Sequence, residues 1–203
     1  MITDRDREII NYIDKYKYAT IDQIANVFFN DSFSKYELSR RRLKCISDTH
    51  NYIKSFRNSS TNTVVYTSID NNIKSIKDHD LKIMDYIAKL YVLGCNIRNV
   101  TMANEWSKLI PEVVPDSLIK LEFKSGTTEY QMFHILEMQL RHDRVDINRY
   151  NNIIPKIMNL TGNVMPRLII IQNTNMNYKD INETPMKVFQ LDLTMQNIHE
   201  TIS

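Results

Sequence analysis

The stretch that decides the reading of this chain runs from Thr20 to Lys44, TIDQIANVFFNDSFSKYELSRRRLK. Thr20 with Gln23 three residues on forms a capping box, and Ile21, Ile24, Ala25, Phe28 and Phe29 follow at helical spacing. A short helix results, with Phe28 one turn from Ile24 on its inward stripe. Asn30, Asp31 and Ser32 make a polar turn. Ser34 with Glu37 is the next capping box, opening a helix through Tyr36, Leu38, Leu43 and Ile46 that carries Arg40, Arg41, Arg42 and Lys44. Arg40 and Lys44 stand one turn apart on one face while Leu43 turns inward, so part of the basic cluster must meet solvent.

The pattern continues on both sides. Thr3 and Asp6 cap an upstream helix over residues 4 to 16, with Ile9, Ile10, Ile13 and Tyr16 as its apolar stripe. Downstream, Ser47 to His50 breaks the third helix. The runs NYIKSFR and VVYTSI then alternate on either side of the polar turn NSSTNT and predict a hairpin, although that turn holds no glycine. Three helices followed by a hairpin is the order of a winged helix-turn-helix, whose second turn helix enters the major groove of DNA. Guanidinium groups suit both phosphates and the O6/N7 edge of guanine. The expected DNA-binding residues are therefore Ser34, Lys35, Arg40, Arg41, Arg42 and Lys44, joined from the wing by Lys54, Arg57, Asn58 and Ser59. A solvated, salt-bridged surface helix is the competing reading of the arginine run.

The charge distribution agrees with a DNA partner. Over 203 residues the formal net charge is only +2. Residues 1–77 hold 13 Lys and Arg against 9 Asp and Glu, a net +4, and the remainder is net −2. Seven basic residues fall between Lys35 and Arg57 against Glu37 and Asp48 alone. Abundant Asn, Ile, Lys and Tyr with only three glycines suggests an AT-rich coding genome. Hydrophobic residues at 42% and charged residues at 25% are ordinary globular usage. The chain length suits two small domains, expected at 1–77 and 78–203. No apolar run is long enough to span a membrane and the charged start does not resemble a signal peptide, so a cytoplasmic location is expected. Cys45 and Cys95 lack any paired spacing and are expected to be free thiols.

Beyond the hairpin, a helix is expected from Asp80 to Leu93 with Gly94 at its C-cap. The block to Pro115 is ambiguous, with a helix between Asn104 and Ile110. SLIKLEF and YQMFHILEMQL predict a strand pair about the turn KSGTTE, Ile147 to Leu160 a helix, and Arg167 to Gln172 and Lys187 to Leu193 two further strands. This second domain is α/β. In it, Asp116 precedes one strand while Glu137 and Gln139 project from one face of the next. Restriction-endonuclease-like domains gather carboxylates in this way to bind magnesium. Gln139 stands where lysine is expected, so a structural, non-catalytic domain is the favoured reading. The alternative is a magnesium-dependent nuclease with Asp116, Glu137 and Gln139 as catalytic residues and Asp116 and Glu137 as metal ligands. Histidines 50, 79, 134, 142 and 199 show no ligand spacing, and His142, between Arg141 and Asp143, reads as a charged surface turn. Neither a glycine-rich phosphate loop nor a nucleophile elbow is present.

Several of these motifs resemble the replication-relaxation proteins of plasmids and phages in Gram-positive bacteria. The resemblance rests on Thr3-Asp4-Arg5-Asp6, on Thr20-Ile21-Asp22-Gln23-Ile24-Ala25-Asn26-Val27-Phe28-Phe29, on Arg40-Arg41-Arg42-Leu43, on His79-Asp80-Leu81, and on Pro115-Asp116 with Glu137. It implies an α+β protein, an N-terminal winged helix-turn-helix followed by a small nuclease-like and inactive second domain, acting in plasmid or phage replication, transfer or transcriptional control. A homodimer is expected, because pairing one winged helix doubles a short footprint. Recruitment of replication or transfer machinery by the second domain is a further alternative. No cofactor is expected, with Mg2+ the alternative.

Overall fold

The structure, a computed structural model, describes residues 2–140, 144–173 and 183–203. His142 and its neighbours lie outside the described residues. The fold is mixed α+β, and the chain divides into two compact units, Met1–Val92 and Leu93–Ser203.

In the first unit, α1 (Asp4–Tyr16) starts on the predicted capping box: the Thr3 hydroxyl accepts from the Asp6 amide and the Asp6 carboxylate accepts from the Thr3 amide. Ile9, Tyr12, Ile13 and Tyr16 face inward. A three-residue strand, β1 (Tyr18–Thr20), precedes α2 (Ile21–Phe28), whose Thr20–Gln23 box also forms. The α2 stripe is Ile21, Ile24 and Ala25, and at its end Phe29 is buried. Four of the five expected stripe residues are thus inside, whereas Phe28 is only half-buried, set edge-on to the Tyr12 ring at 5.6 Å. Helix α3 (Lys35–Lys44) buries Ser39 and Leu43 and runs on into a π-helical turn, Cys45–Thr49. Ser34 sits at its N-cap without a side-chain capping bond, contrary to the predicted box: its backbone, ψ 29°, is not the extended one found at Thr3 and Thr20, and both Glu37 oxygens bind Arg40 and Arg41 instead of turning back.

The hairpin is β2 (Ile53–Arg57) and β3 (Val64–Ser68), antiparallel, with β1 on the other side of β3 in the order β1-β3-β2. Its turn does without glycine because Asn62 takes the left-handed conformation, φ 56°. Helix α4 (Asp78–Val92) belongs to this unit, since the Gln23 side-chain amide donates to the Leu81 carbonyl and to Asp85. The unit boundary therefore falls after Val92, not after residue 77 as expected. Gly94, φ 77°, ends the helix as predicted.

The second unit is built on a five-stranded sheet ordered β4-β5-β6-β7-β8. The strands β4 (Asn96–Met102), β5 (Ser117–Ser125) and β6 (Thr128–Gln139) are antiparallel, whereas β6, β7 (Arg167–Gln172) and β8 (Lys187–Asp192) are parallel. The edge strand β4 occupies the ambiguous block, and the helix expected there shrinks to one turn, α5 (Ala103–Trp106). A 3-10 segment, Ile147–Ile153, and α6 (Ile154–Leu160) cross over between β6 and β7, with Pro155 at the start of α6 dividing what was expected to be one helix. The crossover places Tyr150, Ile153 and Ile157 against Trp106 and against Leu118, Phe133, Ile135, Leu168 and Ile170, the alternating residues of one sheet face. The Trp106 indole N–H donates to the Val113 carbonyl at 2.7 Å inside this core.

Candidate nucleic-acid interface and carboxylate pair

The α3 surface follows from which of its residues are needed inside. Ser39 and Leu43 are buried, and the Ser39 hydroxyl is spent on the Lys35 carbonyl one turn back. The opposite side presents Tyr36, Arg40, Arg41 and Lys44 to solvent. Arg40 binds Glu37 through two nitrogens at 2.8 and 2.9 Å, and Arg41 reaches the same carboxylate at 2.8 Å. Those two guanidinium groups hold the Glu37 carboxyl at about 2, below its ordinary value. Two cations sharing one anion leave a net positive face. These exposed pairs are salt-screened and reorganise at little cost. Arg40 and Lys44 also line a shallow cleft with Ser47, Asp48, Ser55 and Tyr66, where the helix meets the hairpin.

The other expected contact residues divide. Ser34 is exposed, and Lys35 donates to the Asn26 side chain at 2.8 Å. In the hairpin, Lys54 donates to the Ile69 carbonyl and Arg57 to the Asn62 carbonyl, both at the surface. Ser59 is exposed as well. Arg42 departs from expectation: its guanidinium forms a two-point pair with Asp6, whose side chain is 0% exposed, fastening α3 to the N-terminus of α1. Burial alone pushes the Asp6 carboxyl up, but Arg42 and the Thr3 amide and hydroxyl outweigh it and leave it lowered. Asn58 also departs. It is fully buried, donates to the Ile76 carbonyl at 3.0 Å and accepts from the Ile76 amide at 3.0 Å, so it ties the hairpin to the segment leading into α4. Arg42 and Asn58 are structural residues, and no local sequence pattern marks them, because their partners lie 36 and 18 positions away.

In the second unit the sheet brings Asp116 and Glu137 together. Asp116, just before β5, donates its amide to the Leu136 carbonyl at 3.1 Å and accepts from the Met138 amide at 2.6 Å through its carboxylate. The side chain thus extends the β5–β6 ladder by one bond. Glu137 lies on the sheet face covered by the crossover and is nearly fully buried. Its carboxylate accepts from the Arg149 guanidinium and from the Tyr150 hydroxyl, both supplied by the crossover. Burial, with the nearby Asp116 charge, pushes the Glu137 carboxyl up against the lowering by Arg149 and Tyr150. Gln139, half-buried, pairs in register with Gln172 of β7. Arg149 carries no mark in the sequence: an arginine near the start of an apolar helical segment gives no signal that it will turn toward a carboxylate. Among the described residues, no cluster of three or more His, Cys, Asp or Glu could hold a metal ion.

No protein family's sequence profile matches the chain, and no curated protein is significantly similar to it. Among solved structures it is similar to restriction endonuclease FokI, at 12% identity over 93% of this chain and 41% of that chain, with a TM-score of 0.34. The chain thus spans less than half the length of that enzyme, and a likeness this weak fixes neither fold nor activity. No helix among the described residues is long and apolar enough to cross a membrane.

Proposed function

We propose that the first unit is a winged helix-turn-helix that binds double-stranded DNA, with α3 entering the major groove and the β2–β3 hairpin acting as the wing. The observation that carries this reading is the outward face of Arg40, Arg41 and Lys44 on a helix held from behind by Ser39, Leu43 and the Arg42–Asp6 pair. Arg57 and Lys54 extend the same positive character onto the hairpin. On approach of DNA, phosphates exchange with Glu37 for the two arginines, and released counterions make the affinity fall with salt. The second unit is proposed to be restriction-endonuclease-like in architecture, its mixed sheet carrying Asp116 and Glu137 at neighbouring strands. A non-cleaving role in plasmid or phage replication, transfer or transcriptional control, exercised as a homodimer, fits this arrangement.

The test is a gel shift with wild type and Arg40→Ala/Arg41→Ala. Each lost arginine contact is expected to weaken binding by about 1 to 3 kcal/mol while the melting temperature holds. Unchanged affinity in the folded variant would sink the assignment. Nicking of supercoiled plasmid with magnesium or manganese is run alongside. The expected result is none, because Glu137 is occupied by Arg149 and Tyr150 and Gln139 carries no charge to stabilise a transition state. Cleavage by wild type that Asp116→Ala abolishes would restore the nuclease reading.

A further inference from the structure

Phe33 is the most exposed large apolar side chain described, at 107% of its reference surface. It stands immediately before Ser34, the N-cap of α3, in a turn closed by the Ser32 amide on the Phe29 carbonyl and the Lys35 amide on the Ser32 carbonyl. An apolar residue at this position ordinarily folds back onto the fourth helical residue as a staple. That residue is Leu38, and full exposure of the ring shows that it does not do so. Tyr36, 50% exposed, follows on the first turn of the same helix, close enough to Arg40 for the phenol and guanidinium to interact electrostatically. Phe33, Tyr36, Arg40 and Lys44 thus run along one solvent-facing side of α3, aromatic at its start and basic toward its end.

We infer that Phe33 is a specificity residue that reads thymine through its C5-methyl group in the major groove. The inference rests on the DNA-binding reading given above. Residues at the start of the second turn helix are those that meet base edges. A phenyl ring has no donor or acceptor, so it cannot read the hydrogen-bonding pattern of a base pair. The one apolar feature a base pair offers in the major groove is the thymine methyl. The adjoining cations, Arg40, Arg41 and Lys44, select a polyanion over an apolar protein surface as the occupant of this face. Discrimination then comes from Phe33 and general affinity from the basic residues.

The test measures binding of the full chain to three alternating duplexes, dA·dT, dA·dU and dG·dC, by fluorescence anisotropy at one fixed salt concentration. Uracil differs from thymine only by the missing methyl. Wild type is expected to prefer dA·dT over dA·dU by about fourfold for each methyl that the ring covers. Phe33→Ala should lose that preference and bind dA·dT and dA·dU alike, and its full exposure makes the substitution harmless to folding. Equal binding of dA·dT and dA·dU by wild type, or an undiminished preference in Phe33→Ala, overturns the inference and leaves DNA binding intact. Arg40→Ala/Arg41→Ala should weaken all three duplexes together, and failure of wild type to bind any of them refutes the DNA reading as well. Light scattering on the same proteins covers the remaining occupant. A dimer that becomes a monomer on Phe33→Ala with duplex preference unchanged would assign the ring to contact between two copies instead.

Discussion

Replacing Arg42 with alanine separates architecture from DNA contact within a single run of three arginines. Arg42 is the only one of the three bound to a fully buried carboxylate, and its removal strands the Asp6 charge inside the unit. Asp6 would keep two donors, the Thr3 amide at 2.7 Å and the Thr3 hydroxyl at 2.8 Å, so the charge is not wholly uncompensated. Stripping one partner from a fully buried ion pair costs about 3 to 5 kcal/mol, and a charged hydrogen bond contributes about 1.5 to 3 kcal/mol. The Arg42 side chain is itself 32% exposed, which weakens the pair by screening and places the expected loss near 2 to 3 kcal/mol. For a unit of this size that lowers the melting temperature by about 10 to 20 °C. Thermal unfolding followed by circular dichroism measures it, with Arg41→Ala as the control expected to match wild type. The pair also sets a pH dependence. The Asp6 carboxyl lies lower in the folded chain than in the unfolded one, so its contribution is complete above the ordinary carboxylate range and is lost as pH falls through the folded value. Asp6→Asn/Arg42→Ala should recover part of the loss by removing the orphaned charge. An Arg42→Ala protein that melts within about 2 °C of wild type would refute the reasoning and return Arg42 to the DNA-facing set.

Other expectations follow from the same structure. Asn58→Ala removes both bonds to Ile76 and should destabilise the first unit by about 2 to 4 kcal/mol, read by denaturant unfolding; a cost below about 1 kcal/mol would mean that the hairpin and the α4 approach are not joined there. Ile24→Ala, at a fully buried position, should cost about 2 to 5 kcal/mol and exceed the effect of Phe28→Ala, whose ring is only half-buried. His134 is buried on β6, and burial together with the Arg167 charge brings its imidazole down to about 3. Because the unfolded chain takes up that proton first, the second unit should lose roughly 1.4 kcal/mol for each pH unit below about 6.5 until the folded value is reached, and His134→Gln should flatten that slope in a urea series across pH.

What could be read in advance was what depends on neighbours along the chain. The boxes at Thr3 and Thr20 form because each needs only a partner three residues away, and the apolar patterns of SLIKLEF and FHILEMQ, with the continuous apolar run RLIIIQ, place β5, β6 and β7 correctly. The box at Ser34 fails for reasons that spacing cannot reveal: the Ser34 backbone is not extended, and Glu37 has two arginines one turn on, whose charge-assisted bonds hold its carboxylate away from the cap. The strand β4 is hidden because it is an edge with a register shift between Ile97 and Asn99, which breaks the alternation that marks a strand. In the candidate sites, Asp116 and Glu137 were visible as a spacing, but the groups that occupy Glu137 arrive through the crossover. Their role depends on the return path of the chain and on no local motif.

The Arg149 guanidinium beside Glu137 has a consequence for how the second unit depends on its surroundings. A divalent cation exchanges with solution, and a site built on one answers to ion supply and to chelators. The compensating charge on Arg149 is covalently attached, so its effective concentration at the carboxylate is set by the fold alone. A guanidinium also has no empty coordination position and no bound water to acidify. The share of the charge balance that Arg149 supplies at this point of the sheet is therefore fixed by the fold and does not vary with ionic supply.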